Sequence, residues 1–233
     1  TVFHLGQDDL FCMEMSPFDP KVFATGGNER DLSVWDLRKS EPPSDADADA
    51  PSPETPLHRT LQPTWKAKNV KHDNLDMRVP VWITALKWLS PTRIVTASGY
   101  GQVRVYDTTK ARRPVVDVKI GDHPIRALAV SADGALAVVS DTTGIVSHVD
   151  LALGKVVGSF RGIAGAVTSL YCCATEDKVV MVGLDRMLRI HEAAGKRRNL
   201  EKVYIKQRTQ ALLVDESHED APPPPPAPVD GEE

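Results

Sequence analysis

The residues of this 233-residue chain that could do chemistry are scattered donors and clustered cations. Its seven histidines stand singly, and Cys12, Cys172 and Cys173 show neither C-x-x-C nor Cys-His metal spacing. There is no G-x-S-x-G, phosphate-binding glycine loop, H-E-x-x-H or pair of carboxylates with a cleft residue beside it. The expectation is a protein without catalytic residues, metal, cofactor or small-molecule substrate. The cysteines read as reduced packing residues, and His123 and His191 as hydrogen-bonded structural ones. The densest polar group is AKNVKHDNLDMRVPVW (67–82), which gathers Lys68, Asn69, Lys71, His72, Asp73, Asp76 and Arg78 and closes on Pro80 and Trp82. Two readings are open for it. The cations and the indole suit an anionic or polar partner, while Asp73 and Asp76 are placed to pair with Lys71 and Arg78 in a salt-linked loop that only covers a sheet edge.

Charge is unevenly distributed. Residues 41–58 hold five acids and residues 215–233 hold seven, with no Lys or Arg in either. Without those twelve the chain has 28 basic residues against 20 acidic, whereas the whole carries −4. A basic body with acidic appendages points towards a polyanion such as RNA or towards an ordinary solvated surface. EPPSDADADAPSPETP (41–56) and DESHEDAPPPPPAPVDGEE (215–233) have almost no large apolar residues to offset the entropy of ordering. The expected organisation is one domain over 1–214, a disordered acidic insertion at 41–58, and a disordered proline-rich tail over 215–233. No apolar run reaches the roughly 20 residues that span a bilayer, and the first residues lack a signal-peptide pattern, so a soluble, non-secreted chain without membrane partners is expected.

The elements that must position the cations repeat. FATGGNERDLSVWDL (23–37), IVTASGYGQVRVYDT (94–108), LAVVSDTTGIVSHVDL (136–151) and VVMVGLDRMLRIHEA (179–193) each run from an apolar strand through a small turn into an alternating strand ending in a bulky residue and an acid. Those acids, Asp36, Asp107, Asp150 and Glu192, are spaced by 71, 43 and 42 residues, the first interval being lengthened by the acidic insertion. An upstream strand (10–16, 82–89, 125–131, 167–173) and a downstream one (64–70, 114–120, 155–160, 201–207) complete each unit. Four strands in about 42 residues is the arithmetic of a β-propeller blade. The fold class is all-β, with four four-stranded blades and a further strand in QALLVD (210–215). TVFHL at the start reads as the end of an earlier blade, with about three blades upstream.

The units resemble WD repeats. GLDRMLRIHE keeps the turn Asp and ends in His191-Glu192, and GDHPIRALAVSADGALAVV is similar to the Gly-His opening of a blade. Ile163 and Tyr100 stand where an opening His and a turn Asp are expected, so the side-chain network inside some blades is expected to be incomplete. More specifically, AKNVKHDNLDMRVPVW, TASGYGQVRVYDTTKARRPV, GIAGAVTSL and GLDRMLRIHEAAGKRRNLEKVYIK resemble the WD-repeat nucleolar factors that assist assembly of the large ribosomal subunit, over roughly residues 20 to 214. The resemblance implies a seven-bladed, non-catalytic propeller of the nucleus and nucleolus. Implied partners are rRNA and proteins of the large-subunit precursor, with later removal by an AAA-type ATPase. Implied partner contacts are Lys68, Asn69, Lys71, Asp73, Asp76, Arg78 and Trp82. Basic rim candidates for RNA or an acidic partner are Arg104, Arg112, Arg113, Arg186 and Arg189, joined by Lys196, Arg197, Arg198 and Lys206. A different class is suggested by VWDLRK (34–39), which resembles the W-D-x-R pattern of cullin-type ubiquitin ligase substrate receptors and rests on Arg38.

Overall fold

Runs of Val, Ile, Leu and Ala form the middle strands of the four large sheets among the described residues. The computed structural model describes residues 2–5, 9–41, 58–72 and 74–216. Among these, four antiparallel four-stranded sheets follow one another. The first contains β2 (Leu10–Met15), β3 (Val22–Gly27), β4 (Arg30–Asp36) and β7 (Trp65–Lys66). A small three-stranded sheet flanks it, in which β6 (His58–Leu61) lies between β1 (Val2–His4) and β5 (Ser40–Glu41). The second sheet is β8 (Ile83–Ser90), β9 (Arg93–Ser98), β10 (Gln102–Asp107) and β11 (Val116–Lys119). The third is β12 (Ile125–Val130), β13 (Leu136–Asp141), β14 (Val146–Asp150) and β15 (Lys155–Phe160). The fourth is β16 (Val167–Cys172), β17 (Lys178–Gly183), β18 (Met187–Glu192) and β19 (Asn199–Tyr204). The sole helical turn among the described residues is a three-residue 3₁₀ turn at Leu37–Lys39. Among the described residues no helix is long and apolar enough to cross a membrane.

Both faces of the middle strands are buried, because each sheet packs face to face on the next. On β10, Val103 and Val105 join a core shared with Ile125, Leu128, Val139 and Val149 of the third sheet. Tyr106, of the opposite parity, joins Leu32, Val34, Ile83 and Trp88 in the core shared with the first sheet. A third core links Ala127, Val138 and Phe160 to Val167, Leu170 and Met181. The first strand of each four-stranded sheet carries a bulge near its start, at Leu10/Cys12, Ile83/Ala85, Ile125/Ala127 and Val167/Ser169. In a four-stranded antiparallel meander the turn between the second and third strands lies at the end where the chain enters and leaves the sheet. The inter-sheet connections and the turns at Asn28-Glu29, Gly99–Gly101, Thr142–Ile145 and Leu184–Arg186 therefore share that end.

Three expectations need correction. The outer strand expected over 64–70 is only Trp65–Lys66, because the chain leaves the sheet at Ala67, whose N–H still bonds Leu32 O at 2.8 Å. The strand expected in QALLVD is absent: residues 205–216 hold no strand. The insertion expected at 41–58 is narrower, since Glu41 and His58 belong to the flanking sheet; its residues 42–57 and the tail beyond 216 lie outside the described residues.

Candidate partner-binding surface

The connection from β7 to β8 crosses from the outermost strand of the first sheet to the innermost strand of the second. Its path is fixed at several points by its own polar groups. The Asn69 amide donates to Val79 O at 2.6 Å, and Asn69 Oδ1 accepts the Val70 N–H at 2.8 Å, pinching the loop at its neck. Lys68 N donates to Arg112 O at 2.7 Å, and Arg112 Nε donates back to Lys66 O at 2.7 Å. Arg113 Nε reaches Asn69 O at 3.3 Å. The Glu29 N–H, in the turn between β3 and β4, donates to Val81 O at 2.7 Å.

These bonds enclose an open cleft of about 480 Å³ lined by Lys68, Asn69, Val70, Lys71, His72, Asp76, Arg78 and Arg113. Four permanent cations thus meet one carboxylate. Asp76 takes another partner than the expected ones, bonding His72 Nδ1 at 2.9 Å, and Arg78 reaches out of the loop to Glu29 at 3.0 Å. Asp73 lies outside the described residues. The Arg78–Glu29 pair is exposed, where an ion pair contributes about 0–1 kcal/mol, so a polyanion competes for Arg78 at little cost. Leu75 and Met77 stand at the tip, 75% and 56% exposed.

Trp82 ends the connection in an aromatic group that sequence reasoning did not assemble. Phe11 and Tyr100 meet its ring edge to face, with centroids 6.3 and 6.1 Å away. The Arg126 guanidinium lies 5.9 Å from the centre of Phe11. Gly99 supports the indole from below, where a Cβ would stand 2.1 Å from Trp82 Cε3. These partners come from three sheets and share no local spacing. The available signal was that Phe11, Trp82 and Arg126 each lie at the entrance of a first strand.

The remaining basic residues divide. Arg186 and Lys206 are exposed, and the Ile205 N–H bond to Arg186 O at 2.9 Å sets them side by side. Both have left-handed backbone, φ 63° and 67°, which is unusual for long side chains. Lys196 and Arg198 are exposed as well. Arg197 is half-buried and spent on structure, its guanidinium reaching His148 Nδ1 at 3.3 Å and Val157 O at 3.2 Å. Arg104 and Arg189 are not on a rim: they are 5% and 2% exposed. Arg104 turns inward to Asp117, its partner in register on β11, at 3.1 Å, and Arg189 to the turn carboxylate of Asp185 at 2.5 Å.

Within the sheets, Trp35 Nε1 donates to Thr25 Oγ1 at 2.8 Å, and Asp185 caps the Met187 N–H at 3.2 Å. His191 is buried with Nδ1 3.2 Å from Arg197 O, whereas His123 is exposed instead of holding the opening of its unit. Burial pushes the Cys12 and Cys172 thiols up to about 12, so both are protonated at neutral pH. Arg38 bonds Asp36 and Asp19, each at 2.7 Å, on the exposed face of the first sheet.

Four consecutive antiparallel four-stranded sheets, with a Trp–Thr pair in the first and a basic connection at their shared end, are blades of a β-propeller of WD-repeat type. No family model matches the chain. It is 36% identical over 220 residues to WD repeat-containing protein 74 of Bos taurus and of Homo sapiens, a match covering 93% of this chain and 52% of each relative. It is 30% identical over 223 residues to ribosome biogenesis protein nsa1 of Schizosaccharomyces pombe, covering 88% of this chain and 55% of that one. The chain is a homologue of these WD-repeat proteins and spans about half their length. In fold alone it is similar to the crystal structure of the computationally designed Ika8 protein, with a TM-score of 0.64 and 14% identity, over 88% of this chain and 52% of that one.

Proposed function

We propose that this chain is part of a non-enzymatic WD-repeat scaffold in ribosome biogenesis, which binds nucleolar precursors of the large ribosomal subunit through the 67–82 connection and the exposed basic residues of the same end. The homology with ribosome biogenesis proteins over most of the chain carries this reading. Residue chemistry alone supports only a surface for an anionic or polar partner. Lys68, Lys71, Arg78 and Arg113 line the cleft, and Arg186 and Lys206 extend the positive surface. Such cations meet phosphates through charge, with little reading of base identity. The scaffold holds immature rRNA and assembly proteins by steric and electrostatic means, acts in the nucleolus, and is extracted by an AAA-type ATPase, as the resemblance implies.

The test is gradient sedimentation of a nuclear extract containing the full-length tagged protein, with identification of the RNA in its peak. Wild type is expected with precursors of the large-subunit rRNA. Lys71→Glu combined with Arg78→Glu is expected to shift at least half of it to the top of the gradient without lowering its melting temperature. Unchanged sedimentation of the double variant removes the cleft from the reading, and migration of wild type free of precursor RNA removes the reading itself.

A further inference from the structure

The bulges at the start of the inner strands leave four side chains free of the ladder. In each four-stranded sheet one residue of the first strand has no partner in register: Phe11, Thr84, Arg126 and Thr168. A bulged residue of this kind is re-aimed away from its neighbours' faces. Thr84 and Thr168 turn inward, their hydroxyls donating to Ile125 O at 2.6 Å and to Thr209 O at 2.7 Å. Phe11 and Arg126 turn to each other instead. Phe11 stays 50% exposed, Arg126 is exposed, and its guanidinium lies over the Phe11 ring, 5.9 Å from the centre.

Phe11 is held firmly on one side and loosely on the other. It meets Trp82 edge to face at 6.3 Å, Trp82 meets Tyr100 in the same way at 6.1 Å, and the backbone of Gly99 closes on the indole. The 5.9 Å to Arg126, by contrast, is near the outer limit of about 6 Å for a cation–π contact. The result is a fixed aromatic floor under a planar cation that gives way. This group is continuous with the basic cleft through a single turn. Asn28 forms a bridge with Trp82, while its neighbour Glu29 donates its N–H to Val81 O and holds Arg78 with its carboxylate.

We propose that Phe11 and Arg126 form a stacking site for one base of unpaired RNA whose neighbouring phosphates lie in the 67–82 cleft, an inference that rests on the reading of this end as an RNA-binding surface. The base lies on Phe11, and the Arg126 plane moves onto its outer face, since aromatic rings and guanidinium planes both stack on splayed bases. Charge decides for RNA over an apolar protein anchor. The cleft gathers four permanent cations against one carboxylate, and Arg126 adds a further cation beside the ring. A nucleotide engages the ring and the cations together, whereas an apolar side chain engages the ring alone. Bases paired in a duplex are stacked inside it and do not reach the ring, so the site selects strand state and not sequence.

The test measures binding of the full-length protein to a short unpaired RNA, to its blunt duplex, and to a strand of the same length without bases. On charge alone the duplex, with its denser phosphates, binds at least as well as the single strand. Wild type is expected to prefer the unpaired RNA to both. Phe11→Leu, at an exposed position, is expected to weaken that binding about 10-fold and to leave the baseless strand unaffected, while Lys71→Glu combined with Arg78→Glu weakens both. Arg126→Lys keeps the charge, removes the plane, and is expected to give the same selective loss, which decides the matter if Phe11→Leu does not fold. A wild type that prefers the duplex, or Phe11→Leu and Arg126→Lys variants that bind unpaired RNA as wild type does, overturns the stacking site and leaves the cleft standing. Wild type that binds none of the three overturns the RNA reading and the site with it. Loss of precursor sedimentation in Phe11→Leu at unchanged RNA affinity makes the cluster a protein contact and overturns the site as well.

Discussion

At the scale of single residues, His148 and His191 show how the buried network responds to acid. Each ring stacks or abuts Phe160, with centroids 6.0 and 5.5 Å away. Burial is the main reason both are held below the usual imidazole value. Arg197 adds to it at His148 against an opposing pull from Asp177, and Arg189 adds to it at His191 against the bond to Arg197 O. The folded state therefore keeps both rings neutral, while the unfolded chain takes up protons as pH falls below about 6.5, so stability is full above that value and declines below it. The denaturant midpoint is expected to drop between pH 7 and pH 5.5, and the drop to shrink in His191→Gln combined with His148→Gln. The two inward arginines teach a different lesson. Arg104 and Arg189 sit in alternating strands, and a strand buried on both faces has no outward side to offer a cation. Their sequence context, V-R-V and L-R-I, already said so once both faces were known to pack.

At the scale of elements, the units were legible because strand period, turn residues and the closing acid recur together: every inner and middle strand starts within a residue or so of its expected place. The connection at 67–82 was legible as an excess of length, but not its internal bonding. Asn69, Glu29 and Arg113 hold it through backbone carbonyls and a distant turn, which spacing does not encode. The flanking sheet escaped notice because Ser40–Glu41 and His58–Leu61 are short and polar, separated by an acidic stretch that dominates their composition. Thr84 is an element-scale device, since its single hydroxyl proton lies between Ile125 O of the next sheet at 2.6 Å and Ala97 O of its own at 3.2 Å. Thr84→Val keeps the shape and removes that donor from a buried site. It is expected to cost about 1–2 kcal/mol, read from denaturant unfolding, with the far end of the fourth sheet unaffected in hydrogen exchange.

At the scale of the molecule, the net charge of −4 hides a basic body behind an acidic insertion and an acidic C-terminal stretch. Removal of residues 217–233 takes away five acids and no bases, leaving a formal charge of +1. If the tail screens the basic surface through its field, this truncation is expected to raise the affinity of the full-length protein for single-stranded RNA several-fold at 50 mM salt. The gain is expected to vanish near 0.5 M, where the Debye length is only about 4 Å. Equal affinity at both salt concentrations confines the tail to a role apart from charge.

The seat of Trp82 on Gly99 also has an optical consequence. Trp35 and Trp88 are buried within the sheets, and Trp65 is half-buried against Tyr106 on the outer side. Trp82 alone joins the long connection to the aromatic group at the strand entrances, seated directly on the backbone of Gly99. A partner that pulls on the connection is expected to change the surroundings of this indole and of Trp65 at its other end, while Trp35 and Trp88 stay buried in the sheets, so a shift in tryptophan emission is the expected sign of an occupied cleft.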